Sequence, residues 1–211
     1  MKTRLTFAFL FPAMVLFTGC NVQVNRSVHL GDGRTVRADQ VTVNGQITVG
    51  SDCEVRGNLT TVNGNIRVGR NSKIRSIRTV NGTVRLQDDV KIYGKLQSVN
   101  GPVSCDPGVR IRGDIATVNG NIDLRQTMVG RNLVTTHGRI TLAGKSEVDG
   151  NILIKRDQGS HRIRPLSIEI TEGSVVRGDI RVADRRSVVT VSLSRGGQVQ
   201  GVIHNATVVE E

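Results

Sequence analysis

From position 43 the apolar residues of this chain fall in pairs spaced i, i+2, and the pairs recur about every six residues. That is the period of a half-buried strand, not of a helix. A longer period lies over it. Val43-Asn44-Gly45 returns as Val62-Asn63-Gly64, Val80-Asn81-Gly82, Val99-Asn100-Gly101 and Val118-Asn119-Gly120, with an altered copy at Thr136-His137-Gly138. Set in register on this tripeptide, one copy reads Val43, Ile47, Val49, Cys53, Val55, Leu59 and the next Val62, Ile66, Val68, Ser72, Ile74, Ile77. Three short strands in a repeat of 18–19 residues describe one coil of an all-β solenoid, a single-stranded, three-sided parallel β-helix. The Val of each tripeptide is expected to face inward.

Turn chemistry agrees with coils. Gly50, Gly57, Gly69, Gly94 and Gly113 fall between strand pairs, where glycine would permit a left-handed bend at little cost. Asn before Gly is a strong turn pair. With coils stacked about 4.8 Å apart, Asn44, Asn63, Asn81, Asn100 and Asn119 would form a ladder down one corner. The competing arrangement, an antiparallel sandwich or barrel with Asn-Gly hairpins, would leave strands of unequal character on either side of each turn. Past Gly138 the period loosens but persists, interrupted by a polar, basic insertion at 155–166. The β-helix is expected over 41–203, about eight coils, with 20–40 and 204–211 covering its exposed strand edges.

The first twenty residues follow another pattern. Lys2 and Arg4 precede an apolar run from Leu5 to Phe17, and Thr18-Gly19-Cys20 follows. A charged start, a short apolar stretch and small residues describe a secretory signal. The run is too short for a membrane span of roughly 20 residues. Leu16-Phe17-Thr18-Gly19-Cys20 resembles the lipobox of bacterial lipoproteins. The resemblance implies a signal peptide over 1–19, lipid attached to Cys20, and a palmitate-bearing membrane anchor. Asn21, where an Asp would imply retention at the inner membrane, implies the outer membrane, with the rest of the chain periplasmic or surface-facing.

All four Phe lie in the signal, so the remainder holds one aromatic residue, Tyr93. A compact globule of that size would be short of large core side chains, whereas a solenoid fills a thin core with Val, Ile and Leu. Loss of Lys2 and Arg4 lowers the net charge from +11 to +9. Arg67, Arg70, Lys73, Arg75 and Arg78 fall in one coil with no acid between them, and Lys155, Arg156, Arg162 and Arg164 decorate the insertion. These are the candidate anion-binding residues, for an envelope glycan, lipopolysaccharide or lipid headgroups. Nucleic acid is not expected as a partner, because stacking aromatics are missing.

Little points to catalysis. Gln87-Asp88-Asp89 and Thr136-His137-Gly138 resemble motifs of polysaccharide-cleaving β-helices, and paired carboxylates could act on a glycosidic bond. However, Asp88 and Asp89 occupy a turn slot that holds Ser51-Asp52 and Asn71 in other coils, and His137 replaces a ladder Asn. The four histidines have no ligand-type spacing, and no metal or cofactor is expected. Cys53 and Cys105 are expected in different inward columns about three coils apart, too far for a disulfide.

Val55-Arg56-Gly57-Asn58-Leu59, Ile111-Arg112-Gly113-Asp114-Ile115, Val148-Asp149-Gly150-Asn151-Ile152 and Val176-Arg177-Gly178-Asp179-Ile180 resemble the repeat of bactofilins. These bacterial polymer-forming proteins are usually shorter and cytosolic. The resemblance implies a right-handed helix and end-to-end self-association. The expected function is therefore non-enzymatic, a lipid-anchored β-helical rod that builds or scaffolds the cell envelope. The alternatives are an adhesin-like module that binds an anionic polysaccharide and, third, a polysaccharide-active enzyme.

Overall fold

The computed structural model describes residues 21–156, 165–184 and 186–210. The signal segment, Cys20, His161, Arg162 and Arg164 lie outside the described residues. Every described element is a β-strand, the strands pair in parallel, and they stack into a three-sided solenoid of about nine coils. The first face is a sheet of ten strands, from Val28–Leu30 through Ile47–Val49 and Ile66–Val68 to Thr207–Glu210. The second stacks short strands from Thr35–Val36 to Gln198–Val199. The third runs from Asn21–Gln23 through Gln40–Thr42 to Ile203–His204. The stack thus reaches beyond 41–203 at both ends. Residues 28–42 form a complete first coil where a cap was expected.

Each regular coil turns six side chains inward. In the second coil these are Ile47, Val49, Cys53, Val55, Leu59 and Thr61, none more than 2% exposed. Full burial of each aliphatic side chain contributes about 1.5–3 kcal/mol. The insertion falls between Ile152–Ile154 on the third face and Leu166–Ile170 on the first, and the strands on either side of it keep the register of the stack.

Two expectations are corrected. The Val of the repeated tripeptide faces outward. Thr42, Thr61, Thr79, Ser98, Thr117 and Thr135, one position earlier, are the buried residues, whereas Val43, Val62, Val80 and Val99 are half-buried and Val118 is 40% exposed. Strand alternation requires this, because the third inward pair of the second coil is Leu59 and Thr61, and the next residue must point away. The buried hydroxyls are satisfied at the corner. Thr42 Oγ1 donates to the Arg26 carbonyl at 2.8 Å and Thr61 Oγ1 to the Gly45 carbonyl at 2.9 Å.

The second correction concerns glycine. None of Gly45, Gly64, Gly82, Gly101 and Gly120 has a positive φ, and neither do Gly50, Gly57, Gly69, Gly94 and Gly113. Close stacking explains them instead: a Cβ on Gly64 would run into the carbonyl oxygen of Gly45. Apart from Asn25, Gly138 and Asn205 at the third-to-first corner, the left-handed residues lie in a different column, where the first face turns into the second. There Asp52 (φ 58°), Asn71 (φ 53°), Asp89 (φ 59°) and Gly108 (φ 81°) follow one another coil by coil. Asp and Asn tolerate that conformation better than other side chains do.

Candidate functional site

Side-chain ladders run along all three corners. At the third-to-first corner, Asn44, Asn63, Asn81, Asn100 and Asn119 each donate through Nδ2 to Oδ1 of the rung below, at 2.6–3.0 Å. The bottom rung is Asn25, and the top is His137, whose Nδ1 lies 3.0 Å from Asn119 Oδ1. Because that oxygen accepts, His137 must carry its proton on Nδ1. The ladder stops where the insertion begins. At the second-to-third corner the [Asn/Asp] position of the Val-x-Gly-[Asn/Asp] motif accepts from the next coil's backbone, even where Arg131 replaces the Gly: Asn151 N–H donates to Asn132 Oδ1 at 2.9 Å, Asp179 N–H to Asn151 Oδ1 at 2.7 Å, and Val202 N–H to Asp179 Oδ1 at 2.9 Å. Inside the first-to-second corner, buried Ser72, Ser146 and Ser174 accept from Cys53, Thr127 and Ser146 N–H at 3.0–3.2 Å. These residues hold one coil on the next, which absorbs both repeated motifs into structure.

The five-residue basic cluster of the third coil does not converge. Arg67 projects from the first face, Lys73 and Arg75 from the second, and Arg78 from the third, where its guanidinium donates to Gln97 Oε1 at 2.9 Å. Arg70 lies at the turn between the first two faces. Lys155 and Arg156 follow the third-face strand of the seventh coil, and Arg156 Nε sits 3.6 Å from Asp184 Oδ2.

Parallel register assembles a different basic surface from residues far apart in sequence. On the second face Glu54, Lys73, Lys91 and Arg110 share one outward column. Immediately after the paired inward residues of the same face, the exposed Arg37, Arg56, Arg75, Tyr93 and Arg112 form the next, with a register irregularity between Val55 and Asn58. In coils one to five these two columns hold seven cations and one acid, Glu54. Arg56 Nε donates to Glu54 Oε1 at 2.8 Å, and that hydrogen bond, with the guanidinium charge, holds the Glu54 carboxyl below its ordinary range. The Arg112 guanidinium lies 4.8 Å from the centre of the Tyr93 ring, a cation–π contact. Above coil five the same columns carry Met128, Glu147, Asp149 and Arg177, and Arg177 binds both acids, at 2.9 and 3.2 Å. One face is thus cationic at one end and neutral to acidic at the other.

The residues considered for catalysis stay apart. Asp88 and Asp89 lie at the first-to-second corner and His137 at the third-to-first corner, two coils further on. Cys53 and Cys105 are free, buried, and in separate columns three coils apart; burial pushes the Cys105 thiol well above its ordinary range. Among the described residues no three His, Cys, Asp or Glu side chains converge to hold a metal ion. Comparison with protein-family models, with curated proteins and with solved structures returned no match.

Proposed function

We propose that this chain is a non-enzymatic rod of the bacterial envelope, anchored by lipid on Cys20 in the outer membrane and scaffolding it by stacking end to end, as the bactofilin resemblance implies. The observation that carries this reading is the stepped shape of the two ends. At one end the third-face strand Asn21–Gln23 sits one level below the first coil, paired with Gln40–Thr42. At the other, the first-face strand Thr207–Glu210 sits one level above the last coil, paired with Thr190–Leu193. The steps are on different faces, so a second copy can continue the first and third faces together, with one strand level left open on the second. Among the described residues nothing lies across the last coil, where Leu193, Gly197, Val199 and Glu210 line an open cavity of about 410 Å³. Val208 continues the inward column of Val28, Ile47 and Val191 but is 42% exposed. A following copy would cover it with its own Val28. An unpaired strand edge with apolar side chains is a template for such addition.

Electron microscopy and sedimentation of the full chain test this. Filaments that lengthen with concentration are expected, and Val208→Lys should arrest them by setting a charge at the joint. Rods that stay monomeric at high concentration would overturn the proposal. Cys20→Ser should abolish labelling by a fatty-acid analogue; continued labelling would overturn the anchor.

A further inference from the structure

We propose that the second face of coils one to five binds a single linear acidic polysaccharide, laid along the rod axis. This is independent of end-to-end stacking. The strip as a whole extends over four coil spacings, about 19 Å, of which the Lys73, Lys91, Arg110 column covers two. Neighbouring cations in a column stand about 4.8 Å apart, and the columns are separated by about 7 Å. Arg75, Lys91 and Arg110 have no ion-pair partner among the described residues, whereas Lys73 and Arg37 share the field of Glu54 with Arg56. Surface charges in a folded protein are ordinarily interspersed by sign, as they are higher on this face, where Arg177 is enclosed by Glu147 and Asp149. Each of five consecutive coils places at least one cation on this strip, and in coils three to five Lys73, Lys91 and Arg110 stand one above another; the excess of like charge is what an anionic chain parallel to the axis would relieve.

The strip's margins favour one chain over a plane of lipid headgroups. Carboxylates stand at both edges of the face. Asp52, at one corner, accepts from Asn71 Nδ2 at 2.7 Å. Asp39, at the other, accepts from the Asn58 backbone at 2.7 Å, and Asp114 lies 3.6 Å from Lys95 Nζ. A membrane surface pressed on the face would meet these acids, whereas a chain on the midline would not. Tyr93, 44% exposed in the middle of the strip, adds the one aromatic ring on which a sugar could lie once the Arg112 guanidinium moves to an acidic group.

The test uses the full chain in detergent micelles and heparin fragments of increasing length, by calorimetric titration. Affinity should rise with fragment length until the fragment spans the strip and then level off. The triple variant Arg75→Gln, Lys91→Gln, Arg110→Gln should weaken binding at least about tenfold and lower the slope of log affinity against log salt by about three. A second triple, Arg67→Gln, Arg78→Gln, Arg125→Gln, removes equal charge from the other faces and should weaken binding less than about threefold. All six side chains are exposed or half-buried, and unchanged circular dichroism melts check the fold. Equal losses in the two triples would mean attraction by net charge alone and overturn the proposal, as would no binding. Phosphatidylglycerol vesicles form the last arm, read as the difference between wild type and strip variant so that the anchor cancels. A larger strip-dependent effect on vesicles than on heparin would assign the face to a membrane and overturn the glycan.

Discussion

Gly64→Ala separates two accounts of the corner glycines. If the corner needed only an ordinary backbone bend, alanine would be harmless, since Gly64 has no left-handed φ. If stacking demands the missing side chain, alanine is costly, because its Cβ meets the Gly45 carbonyl, which is backbone and cannot rotate away. The coils must then part locally by roughly 1 Å to restore van der Waals contact. Overpacking of this kind costs about 1–3 kcal/mol. The same corner holds Gly64 N–H on Asn81 O at 3.0 Å and the Asn63 amide on Asn44 at 2.8 Å. Weakening these adds about 1 kcal/mol. The expected loss is about 2–4 kcal/mol, or about 6–12 °C in melting temperature for a chain of this size. Gly31→Ala is the matched control, with neither a left-handed φ nor any atom within 4 Å of the added carbon. It should leave stability unchanged or raise it by about 0.4–1 kcal/mol, as the unfolded chain loses freedom. Both are read by thermal and urea unfolding under circular dichroism. A Gly64→Ala protein that melts with the wild type would refute the stacking argument.

Val62→Thr should cost no more than about 0.5 kcal/mol because the side chain points out, whereas Ile66→Thr should cost more than about 2; equal losses would restore the inward valine. Ser146→Ala should cost about 1–3 kcal/mol, since it strands the buried Thr127 N–H that Ser146 Oγ holds at 3.2 Å; an unchanged denaturation midpoint would contradict that. The Asp179 carboxyl is held below its ordinary value of 3.8 by the Val202 N–H and then by Arg181. Its stabilising effect is complete above that value and lost as pH falls through the lower folded value, so Asp179→Asn should flatten the acid limb of the stability curve; an unaltered limb counts against it. Cys53 and Cys105 should resist alkylation in the native protein and react in urea, and rapid native labelling would show that the core is open.

The fold was legible because a solenoid writes its period directly into the chain. The i, i+2 pairs, the coil length and the Asn ladder all follow from one repeat. What misled was the choice of frame. Val-Asn-Gly looks like the start of a coil, yet it follows the last inward residue, so its Val falls on the outer side of the pleat. Gly64 misled differently, because a bend and a close approach select the same residue and only the neighbouring coil distinguishes them. The first coil escaped notice because its corner reads Val24-Asn25-Arg26, without the glycine. Asn25 nevertheless stands 19 residues before Asn44, and that spacing alone could have found it.

The charge pattern shows why the candidate site was the least legible part. In a globule, five cations within twelve residues suggest a patch. In a three-sided coil the chain turns about every six residues, so Arg67, Lys73 and Arg78 are carried to three faces. Neighbourhood on this surface is set by the coil period: Lys73 stands beside Lys91, and Lys91 beside Arg110. A cation at one position is reinforced only by a cation one coil away, and such a column leaves no local trace in the sequence. Those columns run parallel to the rod, so any partner they select is elongated along the same axis. Substitutions that break the strip should therefore act according to their column and coil, whatever their distance in sequence.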